Sequence, residues 1–227
     1  MRASDDPLDW MRDGAARLRR AIDPHMLGYL RELLKPVEAA RAGVRLYGVT
    51  GLETVLSATG AIGGIAARRL GVGAKPVRAI VFDKTRSTNW VLGWHQDRTI
   101  IVKRRLDVAG FGPWSLKESL IHVEPPIALL NDMITLRVHL DEVGPDNAPL
   151  RIARGSHRFG RVPVAEIRRV VASSELHSCH AEAGDVWEYA TPIVHASAAA
   201  LAPVRRRVLQ VDYANFDLPG GLKWRGI

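Results

Sequence analysis

The sequence predicts a mainly β protein, an antiparallel sandwich or barrel with helices packed on its outside. Residues 1 to about 75 show helical spacing of apolar residues, whereas from Val77 onward the chain is a series of short runs rich in Val, Ile, Leu and Trp. Gly, Pro, Asn and Asp separate those runs, as turns require. Long helices do not return between the runs to make βαβ units, so an antiparallel arrangement is favoured.

The N-terminal part is expected to form helices outside that β core. Asp23 can cap a helix whose first residue is Pro24, and apolar residues then recur at helical spacing as far as Leu34. A second helical stretch, about Gly60 to Leu70, is rich in small residues and ends at Gly71. These patterns predict a helical part that ends near residue 75.

The predicted strands are VRAIVF (77–82), NWVLGW (89–94), RTIIVK (98–103), ITLRVHL (134–140) and RVLQVDYA (207–214). Neither internal repeats nor low-complexity linkers interrupt the series. A single domain over residues 1–227 is therefore expected, since β-rich folds of 227 residues are often undivided.

Composition excludes several kinds of site and location. The single cysteine, Cys179, rules out an internal disulfide and any multi-cysteine metal site, so a bound metal would need His and carboxylate ligands. We find neither an apolar run near the roughly 20 residues that cross a bilayer nor a secretory apolar segment at the N-terminus. The expected location is the cytoplasm, without membrane association.

The net charge of +8 raises the question of nucleic-acid binding. The arginines are scattered along the chain, without a long basic block or an aromatic ladder beside them. This distribution argues against nucleic acid. It leaves a solvated basic surface or the attraction of an anionic small substrate as explanations.

The segment WHQD predicts a metal site. Residues i and i+2 of a strand project from the same face, so His95 and Asp97 would point together and Gln96 away from them. A third nitrogen ligand would complete a facial set of two histidines and one carboxylate, which leaves up to three positions open on an octahedral Fe(II). The alternative is a His–Asp pair at a strand end whose members only satisfy each other.

Context singles out His195 as the third ligand. It lies in TPIVHAS, within a stretch from 184 to 213 that resembles a hairpin-like series of strands with an arginine on the strand after the histidine. A dicarboxylate such as 2-oxoglutarate would chelate iron through its keto-acid end. Its distal carboxylate would need a bidentate cationic partner, which an arginine supplies.

Four segments in this order resemble the phytanoyl-CoA dioxygenase family of Fe(II)- and 2-oxoglutarate-dependent oxygenases. They are WHQD at 94–97, HLDEVGPDNAPLRIARGSH at 139–157, GDVWEYATPIVHAS at 184–197 and RRVLQVDYA at 206–214. The resemblance implies a double-stranded β-helix (jelly-roll, cupin-like) core over about 76–214, with the helical part, about 1–75, packed outside it. Two positions depart from the family pattern: Arg154 stands where proline is frequent before GSH, and Ala200 where asparagine is frequent.

The resemblance also implies roles for individual residues. The iron ligands would be His95, Asp97 and His195. Arg206, eleven residues beyond the distal histidine, would bind the distal carboxylate of 2-oxoglutarate, while Arg205 and Arg207 would point to the other face of the strand. Further contacts to the cosubstrate are expected from Ser197, Thr135 and Gln96.

The candidate substrate-binding residues are Lys84, Asn89, Trp94 and Arg98. For Lys84 and Asn89 the alternative is a polar hairpin turn, and for Trp94 it is a place in the core. The loop at 106–120 is long and Gly-rich and carries Phe111 and Trp114, which is typical of a lid over a substrate.

The implied reaction is oxidation of a small molecule, hydroxylation by default, with O2 consumed and 2-oxoglutarate converted to succinate and CO2. Asp97 argues against halogenation, because related halogenases carry a small residue at this position. The expected substrate is a free small metabolite, an anionic or a secondary-metabolite intermediate. Two alternatives stay open: a catalytically silent jelly roll that binds a metal or ligand, and an oxygenase that acts on nucleic acid or protein.

Overall fold

The computed structural model describes residues 8–37 and 43–227. Its α-helices are α1 (Trp10–Asp13), α2 (Pro24–Leu33), α3 (Leu52–Leu56), α4 (Gly63–Leu70), α5 (Ile127–Asn131) and α6 (Ile167–Ser173), with short 3-10 turns at Ser156–Phe159 and Val164–Glu166. Its strands are β1 (Ala15–Leu18), β2 (Val44–Leu46), β3 (Lys75–Lys84), β4 (Leu92–His95), β5 (Ile100–Val102), β6 (Trp114–Lys117), β7 (Leu120–Val123), β8 (Ile134–His139), β9 (Leu150–Ala153), β10 (Leu176–Cys179), β11 (Val186–Ala190), β12 (His195–Ser197) and β13 (Arg206–Ala214). No helix in these two segments is long and apolar enough to cross a membrane.

The strands form a large sheet of order β1-β11-β8-β13-β3-β2 and a smaller one of order β10-β9-β12-β4, and all their pairings are antiparallel. The chain moves between them repeatedly: β3 and β4 lie in different sheets, as do β8 and β9, and β11, β12 and β13 alternate. This winding is that of a double-stranded β-helix, so the predicted jelly roll is confirmed. A third sheet, of order β5-β7-β6, adds to it.

The two central strands of the large sheet are buried on both faces, and their faces differ in chemistry. Leu136 and Val138 of β8, with Leu209 and Val211 of β13, pack into one apolar cluster with residues of α2, α3 and α4. Their neighbours in sequence point the opposite way, into the space between the sheets, and include charged side chains. The helices therefore cover the apolar face, and the polar face lines the interior of the jelly roll.

Both predicted helices are present. The Asp23 carboxylate accepts a hydrogen bond of 2.9 Å from the backbone N–H of Met26 at the start of α2. Helix α4 ends with Gly71 at its C-cap, as expected, but begins at Gly63, three residues later than predicted.

Three expectations need correction. The part predicted to be helical also contains β1 and β2, which pair with β11 and β3 and so extend the large sheet at its two edges. The strands β12 and β13 are not hairpin neighbours, because β12 pairs with β4 and β9 while β13 pairs with β3 and β8. The 106–120 segment is not a loop throughout, since it contains β6 and ends at the first residue of β7, and Phe111 and Trp114 are partly buried against an apolar cluster.

Arg154 replaces the expected proline with an ion pair that fastens the N-terminal segment to the jelly roll. Its Nε lies 3.0 Å from Oδ1 of the buried Asp13, and the backbone N–H of Gly155 donates to the Asp13 carbonyl at 2.9 Å. Burial alone would raise the pKa of the Asp13 carboxyl, but hydrogen bonds from Arg12 and Arg154 hold it well below its usual value. The carboxylate is therefore ionised wherever the protein is folded near neutral pH.

We expect Arg154→Ala to lower the free energy of unfolding by about 1.5–3 kcal/mol, because it removes a charge-assisted hydrogen bond from a buried carboxylate. Urea denaturation measures this, with the exposed Arg168→Ala as the matched control.

The depressed pKa of the Asp13 carboxyl stabilises the fold above the unfolded value of 3.8, and this contribution is lost as the pH falls. The difference between wild type and Asp13→Asn should thus shrink progressively below about pH 5, and a difference independent of pH would contradict the assignment.

Candidate active site

Three predicted ligands meet where the small sheet faces the interior. His95, the last residue of β4, lies directly opposite His195 of β12, and the centroids of their rings are 4.3 Å apart. Asp97 follows two residues later, beyond the end of β4 rather than within a strand as predicted. One ligand atom from each of the three side chains lies within 4.8 Å of the others, which is close enough to share one metal ion.

Hydrogen bonds fix the orientation of both imidazoles. Nδ1 of His95 is 2.7 Å from the carbonyl oxygen of Gly93, and Nδ1 of His195 is 3.0 Å from that of Ile193. A carbonyl oxygen can only accept, so each Nδ1 carries the proton and each Nε2 keeps its lone pair for a metal. Burial lowers the pKa of His195 to about 4, which keeps this ring neutral at physiological pH.

The Asp97 carboxylate is also held in a state that can bind a metal. Oδ2 of Asp97 accepts from Arg78 at 3.1 Å and from the side-chain amide of Gln210 at 3.4 Å. Burial alone would raise the pKa of Asp97, but the charge of Arg78 and the neighbouring imidazoles lower it to about 2. Within the described residues both of these bonds end on Oδ2, which leaves Oδ1 for a metal. Two neutral imidazoles and one carboxylate are the donor set that non-haem Fe(II) takes.

Behind Asp97 lies a buried network that the sequence did not reveal. Arg78 also pairs with Asp212, at 2.5 Å, and Asp212 accepts from the hydroxyl of Thr135 at 3.0 Å. Thr135 further lies 3.2 Å from the hydroxyl of Thr191. Thr135 was predicted to contact the cosubstrate, but its hydroxyl is engaged in this network and the residue does not line the cavity.

A cavity of about 740 Å³ opens at the triad. Arg206 lines it and is only 2% exposed; its Nη1 donates to the carbonyl of Ala148 at 2.6 Å, and its Nε has no protein partner among the described residues. The hydroxyl of Ser197 is 3.4 Å from the same carbonyl. Burial, with the nearby charge of Arg137, lowers the pKa of Arg206 to about 9, so it remains a cation at neutral pH.

The neighbouring arginines point outward, as strand alternation predicts. Arg205 pairs with Asp83 at 2.8 Å, and Arg207 pairs with Asp141 at 2.9 Å. Only Arg206 of the three lines the cavity.

Gln96 and Arg98 line the cavity, but their polar groups bind the backbone. The side-chain amide of Gln96 donates to the carbonyls of Gly160 and Pro192 at 2.9 and 2.7 Å and accepts from the N–H of Val162 at 2.9 Å. Arg98 donates to the carbonyl of Val162. Gln96 therefore fixes the loop beside the triad and has little hydrogen-bonding capacity left for a ligand.

The other three candidate substrate residues do not line the cavity. The ammonium of Lys84 donates to the carbonyls of Trp90 and Ala198 at 2.8 and 2.7 Å. The side chain of Asn89 donates to the carbonyl of Ala200 and accepts from its N–H. Ala200 is the residue that stands where the family pattern often has asparagine. Trp94 packs on a small apolar cluster that includes Val194. These placements favour the structural alternatives.

The cavity opening has mixed character. Val91 and Leu92 line it with exposed apolar surface, and Lys117 adds an exposed cation. Glu118, in the turn of the β6–β7 hairpin, pairs with Arg45 of β2 at 3.0 Å. The segment suggested as a lid therefore does border the cavity, as a hairpin joined to the edge of the large sheet.

A double-stranded β-helix that gathers two imidazoles and a carboxylate in a cavity between its sheets defines a jelly-roll metalloenzyme. The chain belongs to the phytanoyl-CoA dioxygenase (PhyH) family, whose model matches residues 10–208. The predicted resemblance is thus confirmed, and the protein is by class an iron(II)- and 2-oxoglutarate-dependent oxidoreductase. No curated protein matches the sequence.

Solved structures agree on the fold. AviO1 from Streptomyces viridochromogenes Tue57 is 20% identical and has a TM-score of 0.64, with 93% of this chain and 92% of that chain covered. HygX from Streptomyces hygroscopicus, solved with nickel and 2-oxoglutarate, is 13% identical with a TM-score of 0.61 (90% and 84% covered). The epimerase SnoN, in complex with Fe3+, alpha ketoglutarate and nogalamycin RO, is 17% identical with a TM-score of 0.66 (93% and 88% covered).

We expect His195→Ala to weaken anaerobic Fe(II) binding by at least about 100-fold, since loss of outer hydrogen-bond partners alone costs roughly 10- to 100-fold. Equilibrium dialysis with metal analysis measures this loss. The control is His25→Ala, which removes an exposed histidine of α2. Undiminished Fe(II) binding by the His195 variant would contradict the metal site.

Proposed function

We propose that this protein is an oxygenase that oxidises a small-molecule metabolite, most simply by hydroxylation, with conversion of 2-oxoglutarate to succinate and CO2. The observation that carries the proposal is the pairing of two features in one cavity. The cavity is lined by the donor set of His95, Asp97 and His195. It is also lined by the buried Arg206, whose Nε lacks a protein partner among the described residues. A silent binding protein would have no need of both.

His95, Asp97 and His195 would hold iron, which when bound activates O2 together with 2-oxoglutarate for attack on an unactivated C–H bond. The protein's own contribution is to keep the ligands ready. The backbone carbonyls of Gly93 and Ile193 hold both imidazoles in the metal-binding tautomer. Arg78 keeps the Asp97 carboxylate ionised, so the triad does not have to lose a proton on binding the metal.

Arg206 would bind the distal carboxylate of 2-oxoglutarate. The guanidinium is buried without a carboxylate among the described residues, an arrangement that is costly unless a ligand supplies the negative charge. Ser197, which contacts the same Ala148 carbonyl, is close enough to Arg206 to add a hydroxyl to that subsite. A forked guanidinium suits a carboxylate because it can donate two parallel hydrogen bonds.

The substrate would enter between Val91, Leu92 and Lys117. This opening suits a molecule with an apolar body and a negatively charged or polar group, in agreement with the net charge of +8. The retained Asp97 leaves no vacant ligand position for halide, which favours hydroxylation or a related hydrogen abstraction. Likeness to HygX, which binds hygromycin B, and SnoN, which binds nogalamycin RO, supports a role in secondary metabolism. We propose a cytoplasmic enzyme.

The decisive experiment is anaerobic titration of the Fe(II)-loaded protein with 2-oxoglutarate, followed by exposure to air. A weak visible charge-transfer band and uncoupled succinate formation are the expected results. Absence of both the band and succinate would overturn the oxygenase proposal and leave a binding protein.

Within that assay, Arg206→Ala should raise the 2-oxoglutarate concentration for half-maximal succinate formation on the order of a hundredfold, because a buried charge-assisted contact is lost. Arg205→Ala is the matched control, since the adjacent side chain pairs with Asp83 on the outer face. If Arg205→Ala raised the requirement and Arg206→Ala did not, the assignment of the cosubstrate arginine would be wrong.

A further inference from the structure

A second buried arginine in the cavity lacks a carboxylate partner. Arg137, in the middle of β8, is 5% exposed, and its Nη1 donates to Oε1 of Gln210 at 2.7 Å. Its Nε is buried without a hydrogen-bond partner, and none of the ion pairs among the described residues includes it. The guanidinium lies 5.2 Å from the ring centroid of Phe82, which also lines the cavity.

Strand register shows where this guanidinium lies. Arg137 is opposite Gln210 on β13, and the amide of Gln210 reaches Asp97. Phe82 of β3 is instead opposite Val208, two residues nearer to Arg206. The side chain of Arg137 therefore starts level with Asp97 and extends along the sheet toward Arg206, which places its guanidinium between Asp97 and Arg206.

Charge balance distinguishes Arg137 from the other buried arginine near the triad. Arg78 is paired with both Asp97 and Asp212 and needs no further anion. Arg137 and Arg206 have no such partner among the described residues, and burial together with the nearby charge of Arg137 lowers the pKa of Arg206. Two unpaired cations in one enclosed space are matched in number by the two carboxylates of a keto diacid.

We propose that Arg137 binds the metal-proximal carboxylate of 2-oxoglutarate, so that the cosubstrate lies between two arginines. The inference rests on the proposed function and adds a second anionic subsite to it. Gln210 becomes a positioning residue, because it orients both the Arg137 guanidinium and the Asp97 carboxylate through its side-chain amide. The matching ligand class is a 2-oxo acid, whose keto-acid carboxylate is common to the full cosubstrate and to shorter analogues.

The test uses ligands that separate the two subsites. 2-Oxoglutarate carries both carboxylates, whereas 2-oxopentanoate keeps the keto acid and lacks the distal carboxylate. Each is titrated by calorimetry into protein loaded with redox-inert Ni(II), in wild type, Arg137→Gln, Arg137→Lys and Arg206→Gln. Metal content and thermal unfolding are measured for every variant, so that loss of metal or fold is seen directly, and Arg104→Gln controls for removal of one surface charge.

Arg137→Gln should weaken binding of both ligands by a similar factor, about 10- to 100-fold, as expected for one charge-assisted contact. Arg206→Gln should weaken 2-oxoglutarate alone, and Arg137→Lys should restore part of the lost affinity. The inference is overturned if Arg137→Gln binds both ligands as wild type does, or if it loses only the preference for the distal carboxylate. Failure of wild type to bind either ligand would instead refute the proposed function.

Discussion

The register between β4 and β12 is the constraint on which the candidate site depends. It sets His195 opposite His95, and an irregularity between His195 and Ser197 brings Ser197 opposite Leu92. A slip of one residue would turn the histidine of either strand to the opposite face and separate the two imidazoles. Because the two strands come from distant parts of the chain, only the closed winding of the jelly roll brings them together. The meeting of His95, Asp97 and His195 is thus a consequence of fold closure rather than of a local motif.

The large sheet supports this arrangement by dividing its central strands into two chemically different faces. The outer face, with residues such as Leu136 and Leu209, is packed beneath the helices and stabilises the fold. The inner face carries Arg137, Gln210 and Asp212, which are costly to bury and contribute little to a core. Their burial is offset by the apolar face of the same two strands, so stability and function are assigned to alternate residues.

His95, Asp97 and His195, which the structure brings together, were predicted from the spacing of WHQD and from the resemblance to the family, and Arg206 was predicted from its distance of eleven residues beyond His195. In both segments, WHQD and the run of three arginines, strand alternation predicts the facing of side chains: His95 with Asp97, and Arg206 opposite to Arg205 and Arg207. Arg78 and Arg137 could not be found in this way, since an isolated arginine in an apolar run is usually a residue on the solvent side of a strand. Arg78 and Arg137 point inward because helices cover the other face of the large sheet. That covering is a property of the tertiary structure and is not visible in the local sequence. The spacing of Thr135, Arg137 and His139, polar at every second position, was the available signal.

Lys84 and Asn89 show the reverse case, in which the sequence predicts a role in substrate binding but the side chains bind the backbone. Both were expected to face the substrate because they precede the WHQD segment in sequence, but closeness in sequence does not decide whether a polar side chain faces a ligand or a backbone. Turns beside the site expose carbonyls that must be satisfied, and Lys84 and Asn89 bind those of Trp90, Ala198 and Ala200. Gln96 does the same for the loop at 160–162.

The polar side chains of this interior fall into two groups. Supporting side chains find their hydrogen-bond or charge partners within the protein, whereas candidate ligand-binding side chains do not. Arg78 has two carboxylates, Gln96 has three backbone partners, and Thr135 has Asp212. Within the described residues, the buried Nε–H groups of Arg206, Arg137 and Arg45 lack a protein acceptor, but Arg45 alone of the three has a carboxylate partner, Glu118. Since an unsatisfied buried cation costs several kcal/mol, a fold keeps one where a ligand completes it. By that criterion we propose that the ligand of this cavity is an anion with negative charge at two points, bound near the triad and β13.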